Sequence, residues 1–409
     1  MGRRNLIRVI VVAVLGVVVL AGCGESVDTV VVKPPTKIAT NLPTMTNTNA
    51  PTDSISPQQI TMAAWGTPTE HKNATLDANL TPTALFPTLT PTLYPKLGLI
   101  QASTVSHLRV IQKLEAHTNL ITSLDFSPDG RLLTSGSQDN TVRIWEISTG
   151  REIKTLRLHR SNGIADVAFT PDGQLLIIKG YSTLDIYEVE TWERIRSFNT
   201  GPSISSTRLA ISPDSKYLVS DYQDWGIRTT IIKIWEIDTG KEIFSLPWPR
   251  WNPYLFITFS PDGKHLVTEY SKTLIFWDIN NREKERTLYG RHYFGFSPDG
   301  RLLVARSYDN LYSFSLWEVP TYRRIGTLIY DREQILVDFA FSPDCLLLVA
   351  GGDDGKLTFW NINTMESIIS LEGHLKSVQD IAVSPDGKRI ASISWEEEPI
   401  LIWGVPVGD

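Results

Sequence analysis

A four-residue motif, Ser or Thr followed by Pro, Asp and a variable residue, occurs seven times in this 409-residue chain. The copies begin at positions 127, 170, 212, 260, 297, 342 and 384, so they recur every 37 to 48 residues. Proline fixes φ at the second turn position, and glycine, present in five copies, accepts positive φ at the fourth. Apolar segments flank every copy. Each copy therefore predicts a hairpin, and the period predicts an architecture of repeated units.

A second marker keeps the same period. Each unit contains a later apolar segment that ends in an aromatic residue, namely Trp145, Tyr187, Trp235, Trp277, Trp317, Trp360 and Trp403. Two independent markers with one period predict seven similar β-sheets. The units resemble WD40 repeats, and the resemblance covers roughly residues 107–409. It implies an all-β fold, a WD40-like seven-bladed β-propeller whose four-stranded blades close into a ring.

The resemblance is most complete in the first and last units. It implies a buried hydrogen-bond network that joins an opening His, a strand hydroxyl, a turn Asp and the Trp. Because every buried donor finds an acceptor in such a network, these residues are expected to be structural. The matching residues are His117, Ser135 (or Ser137), Asp139 and Trp145 in the first unit, and His374 and Trp403 in the last.

The two ends of the repeat region predict how the ring closes. The seventh unit stops directly after its third strand, at residues 404–409, whereas an extra apolar segment at residues 107–114 precedes the first unit. We expect this N-terminal strand to close the last blade as its outer strand, because a closed ring leaves no sheet edge open to association. The predicted propeller comprises residues 99–409.

The N-terminus has the pattern of an export signal. Three arginines precede an apolar run that is shorter than the ~20 residues a membrane-spanning helix needs. The segment Leu20-Ala21-Gly22-Cys23 resembles the lipobox of bacterial lipoproteins. This resemblance implies a signal peptide over residues 1–22, cleavage before Cys23 and lipid attachment to its thiol. We expect the protein on the extracytoplasmic side of a bacterial cell membrane; an uncleaved signal anchor is the alternative.

Residues 23–98 are rich in Thr and Pro and show neither a helical nor a two-residue hydrophobic period. Scattered prolines favour extended conformations, so this segment is predicted to be a disordered stalk that starts at the lipidated cysteine. A small folded domain is the alternative. Without residues 1–22 the chain has 36 basic and 45 acidic residues, a net charge of −9. This balance argues against nucleic-acid binding, which needs a basic face.

Composition and motifs also argue against catalysis. Two cysteines exclude a disulfide framework, and the sequence contains no nucleophile-elbow, zinc-protease, Cys-X-X-Cys or dinucleotide motif. The seven histidines are scattered, and none shares a local motif with a carboxylate or a nucleophile. We therefore predict a non-enzymatic protein with neither a metal nor a cofactor.

Large side chains outside the repeat positions cluster around units three to five. Loop Trp, Tyr and Arg often dominate protein interfaces, and in a WD40-like ring these loops are expected on one face. We interpret the cluster as a patch that binds an unknown protein or peptide; the alternative is that Trp248 and Trp251 only cover blade edges. The candidate residues are Trp225, Arg228, Trp248, Arg250, Trp251, Tyr254, Tyr289 and His292.

Three acids occupy one repeat position in the innermost strands. Asp166, Asp338 and Asp380 each lie three residues before the end of such a strand and are predicted at the channel mouth. They could receive a basic peptide or a cation, but hydrogen bonding to local backbone is the favoured alternative.

The sequence as a whole predicts a monomeric, membrane-anchored binding platform, an inference that depends on analogy at the level of fold. The alternatives are an extracytoplasmic carbohydrate-binding or enzymatic propeller, and a propeller of the TolB-like envelope type, whose repeats share the Ser-Pro-Asp-Gly turn. The repeated Trp and the Gly-His opening favour WD40 over the TolB-like option.

Overall fold

A computed structural model describes residues 96–158, 163–199, 209–224, 229–248, 256–270, 272–290, 294–307, 310, 312–330, 335–396 and 399–407. The predicted signal peptide, Cys23 and the predicted stalk up to residue 95 lie outside the described residues. Within the described ranges the single helix is a three-residue 3₁₀ turn, Val105–His107, and the regular structure is otherwise β-strand. The fold is an all-β, seven-bladed propeller.

The strands form seven consecutive antiparallel sheets, numbered here as blades 1 to 7. Two strands precede blade 1, β1 (Leu97–Gly98) and β2 (Arg109–Leu114). Blade 1 contains β3 (Ile121–Phe126), β4 (Leu132–Ser137), β5 (Thr141–Glu146) and β6 (Arg151–Arg157). Blade 2 contains β7 (Ile164–Phe169), β8 (Leu175–Gly180), β9 (Thr183–Glu188) and β10 (Arg194–Asn199). Blade 3 contains β11 (Ala210–Ile211), β12 (Tyr217–Asp224), β13 (Thr229–Glu236) and β14 (Glu242–Trp248).

The remaining blades follow the same order. Blade 4 contains β15 (Ile257–Phe259), β16 (His265–Tyr270), β17 (Thr273–Asp278) and β18 (Glu283–Tyr289). Blade 5 contains β19 (Phe294–Phe296), β20 (Leu302–Arg306), β21 (Ser313–Glu318) and β22 (Arg323–Ile329). Blade 6 contains β23 (Leu336–Phe341), β24 (Leu347–Gly352), β25 (Lys356–Asn361) and β26 (Ser367–Glu372). Blade 7 contains β27 (Val378–Val383), β28 (Arg389–Ser394) and β29 (Ile400–Pro406).

The two N-terminal strands complete the seventh sheet. Strand β2 pairs antiparallel with β29, and Leu114 lies opposite Ile400. Strand β1 pairs with the end of the same strand, where Leu97 lies opposite Pro406. The first and last described strands therefore share one sheet, which closes the ring. Residues 97–98 therefore belong to this sheet, although the sequence placed them in the predicted stalk. A strand of two residues is too short to show a hydrophobic period, so the sequence pattern could not indicate it.

The turn motif has one structure throughout the ring. In blade 1 the Ser127 hydroxyl donates to Asp129 at 2.6 Å, and the Gly130 N–H donates to the Ser127 carbonyl at 2.8 Å. The fourth turn residue has a positive φ of 59° to 72° in all seven copies. Five copies have glycine there, which adopts this backbone without steric cost, whereas Ser215 and Cys345 adopt it as non-glycine residues.

The core consists of seven hydrophobic clusters, and each is shared by two neighbouring blades. Ile144 of blade 1 packs with Leu176 of blade 2, for example, and Ile402 of blade 7 packs with Leu133 of blade 1. The other five clusters join the successive pairs from blades 2 and 3 to blades 6 and 7. Because burial of apolar surface drives folding, each blade is stabilised mainly by its two neighbours.

Candidate functional site

The best-defined polar network lies between strands of blade 1. His117 is within 2.8 Å of the Ser135 hydroxyl through Nε2 and within 2.9 Å of Asp139 through Nδ1. The Trp145 indole N–H donates to the same hydroxyl at 2.9 Å. Thr141, which sequence reasoning missed, donates its hydroxyl to Asp139 at 2.5 Å. A Thr two residues after the turn Asp is the signal that could have identified it.

Burial and hydrogen bonding set the protonation of this network. Burial lowers the pKa of His117 below its ordinary value, and the hydrogen bond that its ring donates to Asp139 only partly opposes that effect. Desolvation alone would raise the pKa of Asp139, but hydrogen bonds from Thr141 and His117 hold it at about 2. Each polar group of the network is committed to a partner within it, which is the arrangement of a structural network.

The Trp indoles of other blades find comparable partners. In blade 7 the Trp403 indole N–H donates to Ser392 at 2.9 Å, and His374 lies 2.8 Å from the same hydroxyl. In blades 3 and 4 the indole N–H donates to a hydroxyl, from Trp235 to Ser220 and from Trp277 to Thr268. In blade 6 the Trp360 N–H donates to the backbone carbonyl of Ile329.

The three aspartates predicted at the channel mouth lie in first strands and are only 4 to 8% exposed. Each accepts a hydrogen bond from a backbone N–H of the next blade, which favours the backbone-bonding interpretation over a ligand-receiving one. The partners belong to the adjacent blade and are not local. The pairs are Asp166 with Leu209, Asp338 with Ile381 (3.0 Å) and Asp380 with Leu124 (2.7 Å).

A fourth inner aspartate was not singled out from the sequence. Asp125 of blade 1 accepts the Phe169 N–H of blade 2 at 2.7 Å. Desolvation raises its pKa to about 8, and the nearby charges of Asp166 and Asp380 act in the same direction. The Asp125 side chain keeps some exposed surface, but the protein around it removes most of the water that would stabilise its charge. This loss of hydration explains the large rise in its pKa. The inner acids therefore connect blades, and one of them holds a proton near neutral pH.

A fully buried ion pair joins blades 2 and 3. Lys179 in β8 donates to Asp221 in β12, and both side chains are 0% exposed. Removal of either partner would take away an opposite charge at a fully buried site, so the pair constrains how these blades pack. Sequence reasoning missed this pair because the two residues are 42 positions apart.

The aromatic patch predicted on blades 3 to 5 is only partly described. Strands β12 and β13 reach into the region of the predicted patch in blade 3, since Asp221–Asp224 and Thr229–Thr230 pair with each other there. Trp248 and Tyr289 are likewise the last residues of outer strands and not loop residues. The other candidates lie outside the described residues: Trp225, Arg228, Arg250, Trp251, Tyr254 and His292.

Blades 4 and 5 differ from other blades in the residue at the end of the outer strand. We define the rim position as the outer-strand residue that pairs with the first residue of the third strand. It is Tyr289 in blade 4 and Ile329 in blade 5, which are 77% and 58% exposed. In blades 1, 2 and 6 the same position holds Arg157, Asn199 and Glu372. Two adjacent blades thus present large apolar surface where three others present polar groups.

Two further kinds of feature are absent from the described ranges. These ranges contain no cluster of three or more His, Cys, Asp or Glu residues arranged to hold a metal ion. They also contain no helix with the length and apolar character required to traverse a bilayer.

Comparison with protein families identifies the repeat. The model of the WD domain, G-beta repeat, matches residues 108–146, 150–178, 328–361 and 365–396. These segments fall in and around blades 1, 2, 6 and 7, so residues 179–327, with most of blades 3 to 5, lie outside the matches.

Curated proteins with WD repeats align over much of the chain. A WD repeat-containing protein WDS homolog from Arabidopsis thaliana is 26% identical over 72% of this chain and 57% of its own length. A WD repeat-containing protein 26 homolog from the same plant is 24% identical over 72% of this chain and 50% of its own length. The chain thus spans about half the length of these two relatives. A guanine nucleotide-binding protein subunit beta from Oryza sativa subsp. japonica is 24% identical over 71% of this chain and 82% of its own.

Proposed function

We propose that this seven-bladed β-propeller, built from WD40 repeats, is a non-enzymatic scaffold that binds a protein or peptide at the rim of blades 4 and 5. The observation that carries the proposal is the contrast at the rim position. Tyr289 and Ile329 are exposed there, whereas Arg157, Asn199 and Glu372 occupy the position in other blades.

Exposed tyrosine and isoleucine on adjacent, rigid strand ends form a favourable anchor for a partner. Aromatic side chains bury much area at a small entropic cost and recur among the residues that dominate binding energy. Trp248 ends the outer strand of blade 3, although it pairs with Thr230, the second residue of the third strand, and not with the first. Most of blades 4 and 5 lies outside the WD40-matched segments, although Ile329 falls within the match that begins at residue 328.

Site-specific photo-crosslinking tests the proposed rim. A photoreactive phenylalanine analogue is placed singly at Tyr289, Ile329, Arg157, Asn199 or Glu372 in the full-length protein and activated in intact cells. Positions 289 and 329 should give one shared crosslinked partner, whereas the three controls, equivalent in strand register, should not. Equal crosslinking at all five positions, or crosslinking at the controls alone, would show that the rim of blades 4 and 5 is not the contact.

The second part of the proposal concerns location. Lipid on Cys23 would hold the propeller at the outer side of a bacterial membrane through the Thr/Pro-rich segment that follows. The lipobox-like Leu20-Ala21-Gly22-Cys23 supports this part. Labelled palmitate should be incorporated into the wild-type protein and not into Cys23→Ser, while Cys345→Ser should be labelled normally. Absence of label from the wild type would refute the anchor without affecting the rim.

A further inference from the structure

A cleft of about 480 Å³ lies between the outer strand of blade 4 and the sheet of blade 5. This volume falls within the roughly 300–1,000 Å³ of typical small-molecule sites. Its lining combines aromatic, hydroxyl and cationic side chains. The described residues that line it are Thr287, Leu288, Tyr289, Ser307, Ser315, Trp317 and Arg324.

Trp317, which lines this cleft, differs from the other strand-closing tryptophans. Its ring is only 6% exposed, yet its indole N–H has no hydrogen-bond partner within the described structure. The cause is local: Ala305 occupies the position that Ser135 holds in blade 1, two residues after the leucine that pairs with the tryptophan. Blade 6 also has an alanine at this position, Ala350, but there a backbone carbonyl accepts the indole N–H.

Two further polar groups that line the cleft also have no hydrogen-bond partner within the described structure. Ser307 and Ser315 are each 3% exposed, and neither hydroxyl has a partner among the described residues. Polar groups in protein interiors and clefts are nearly always satisfied, so water or a ligand in the cleft must supply the partners of these three groups. Because none of the three atoms is completely shielded by protein, each is accessible to a molecule in the cleft.

The chemistry of the lining defines the ligand class. The Trp317 indole and the Arg324 guanidinium only donate hydrogen bonds, while the serine hydroxyls both donate and accept. No carboxylate is among the described lining residues, and Arg324 supplies a positive charge, so an acceptor-rich anion is favoured. The rings of Tyr289 and Trp317 provide apolar faces suited to the C–H face of a sugar ring.

We propose that the cleft between blades 4 and 5 binds a saccharide that carries a carboxylate, such as a hexuronic acid. The carboxylate pairs with Arg324, the ring hydroxyls bond to Ser307 and Ser315, and a ring or carboxylate oxygen accepts the Trp317 N–H. This site is separate from the proposed partner contact, although Tyr289 borders both.

The test is an NMR titration of the purified full-length protein with D-glucuronate, D-glucose or acetate as the probe. The Trp317 indole resonance, identified by its loss in Trp317→Phe, reports on the cleft. D-glucuronate should shift this resonance saturably and bind at least fivefold more tightly than either of the other probes. Glucose or acetate binding as tightly as glucuronate would overturn the proposal, as would the absence of any glucuronate-dependent shift.

Three variants then examine the assigned contacts by saturation-transfer NMR of the ligand. Ala305→Ser places a hydroxyl where blade 1 has Ser135, which accepts the indole N–H there, and should weaken glucuronate binding at least fivefold while the fold is retained. Arg324→Gln should abolish the preference for glucuronate over glucose. Ala350→Ser in blade 6 is the matched control and should bind normally. Wild-type affinity in both Ala305→Ser and Arg324→Gln would refute the assignment, whatever the crosslinking at the rim shows.

Discussion

Replacement of Ser135 by alanine should destabilise the propeller by roughly 2–6 kcal/mol. The hydroxyl is completely buried, accepts the Trp145 indole N–H at 2.9 Å and lies 2.8 Å from His117 Nε2. Alanine leaves both ring nitrogens without that partner in a buried place, and each unsatisfied group costs about 1–3 kcal/mol. A loss of this size is a substantial part of the roughly 5–15 kcal/mol that stabilises a typical domain.

Urea unfolding of the full-length protein at neutral pH, followed by tryptophan fluorescence, measures this cost. Ser367→Ala is a suitable control because its side chain is exposed on the outer strand of blade 6, and it should change the free energy of unfolding by less than about 0.5 kcal/mol. If Ser135→Ala lost no more stability than this control, the blade 1 network would not contribute to stability as its geometry requires.

Three further predictions concern the ring. The pKa of Asp125 is raised to about 8, so the folded state binds its proton more tightly than the unfolded state does, and stability from this group is lost as pH rises from about 4 to 8. At about 1.4 kcal/mol per tenfold change in proton affinity, reduced because the Asp125 side chain is partly exposed to solvent, the wild type should be roughly 1–4 kcal/mol less stable at pH 8 than at pH 5 in urea unfolding, and Asp125→Asn should lack this decline; parallel pH profiles of the two proteins would contradict this. Cys345→Gly should raise the free energy of unfolding by about 0.5–1 kcal/mol, because Cys345 has a φ of 61°, whereas a lower value in urea unfolding would oppose the turn argument. Deletion of residues 99–115 removes the strand that pairs with β29 and should lower the melting temperature of the whole ring in calorimetry; an unchanged transition would refute closure through that strand.

The seven-bladed architecture was predictable because its signals are local. A Pro-Asp turn has its own backbone geometry, and an aromatic residue at a fixed distance marks the strand that follows, so each blade is encoded within about 45 residues. The blade 1 network could be located for the same reason, since His117, Ser135, Asp139 and Trp145 lie within a single unit. The number of blades follows from the count of such units.

Contacts between blades were less accessible from the sequence. Lys179 and Asp221 occupy separate units, and no local pattern indicates that β8 and β12 bring them together. The inner aspartates illustrate the same limit: their common repeat position was visible, but their acceptance of N–H groups from the next blade depends on how neighbouring sheets pack. Register within a blade is a local property, whereas register between blades depends on all side chains at the interface.

The strand-closing tryptophans show why a repeat marker does not by itself reveal a site. Sequence reasoning treats Trp317 and Trp360 alike, and both lack the strand hydroxyl, since Ala305 and Ala350 stand in its place. Only the geometry distinguishes them, because Trp360 reaches the Ile329 carbonyl while Trp317 faces a cleft. An unpartnered indole N–H is unfavourable unless solvent or a ligand accepts it. Blade 5 therefore combines a preserved marker with an indole N–H that is open to solvent or a ligand, and a ligand that binds it should stabilise the interface between blades 4 and 5.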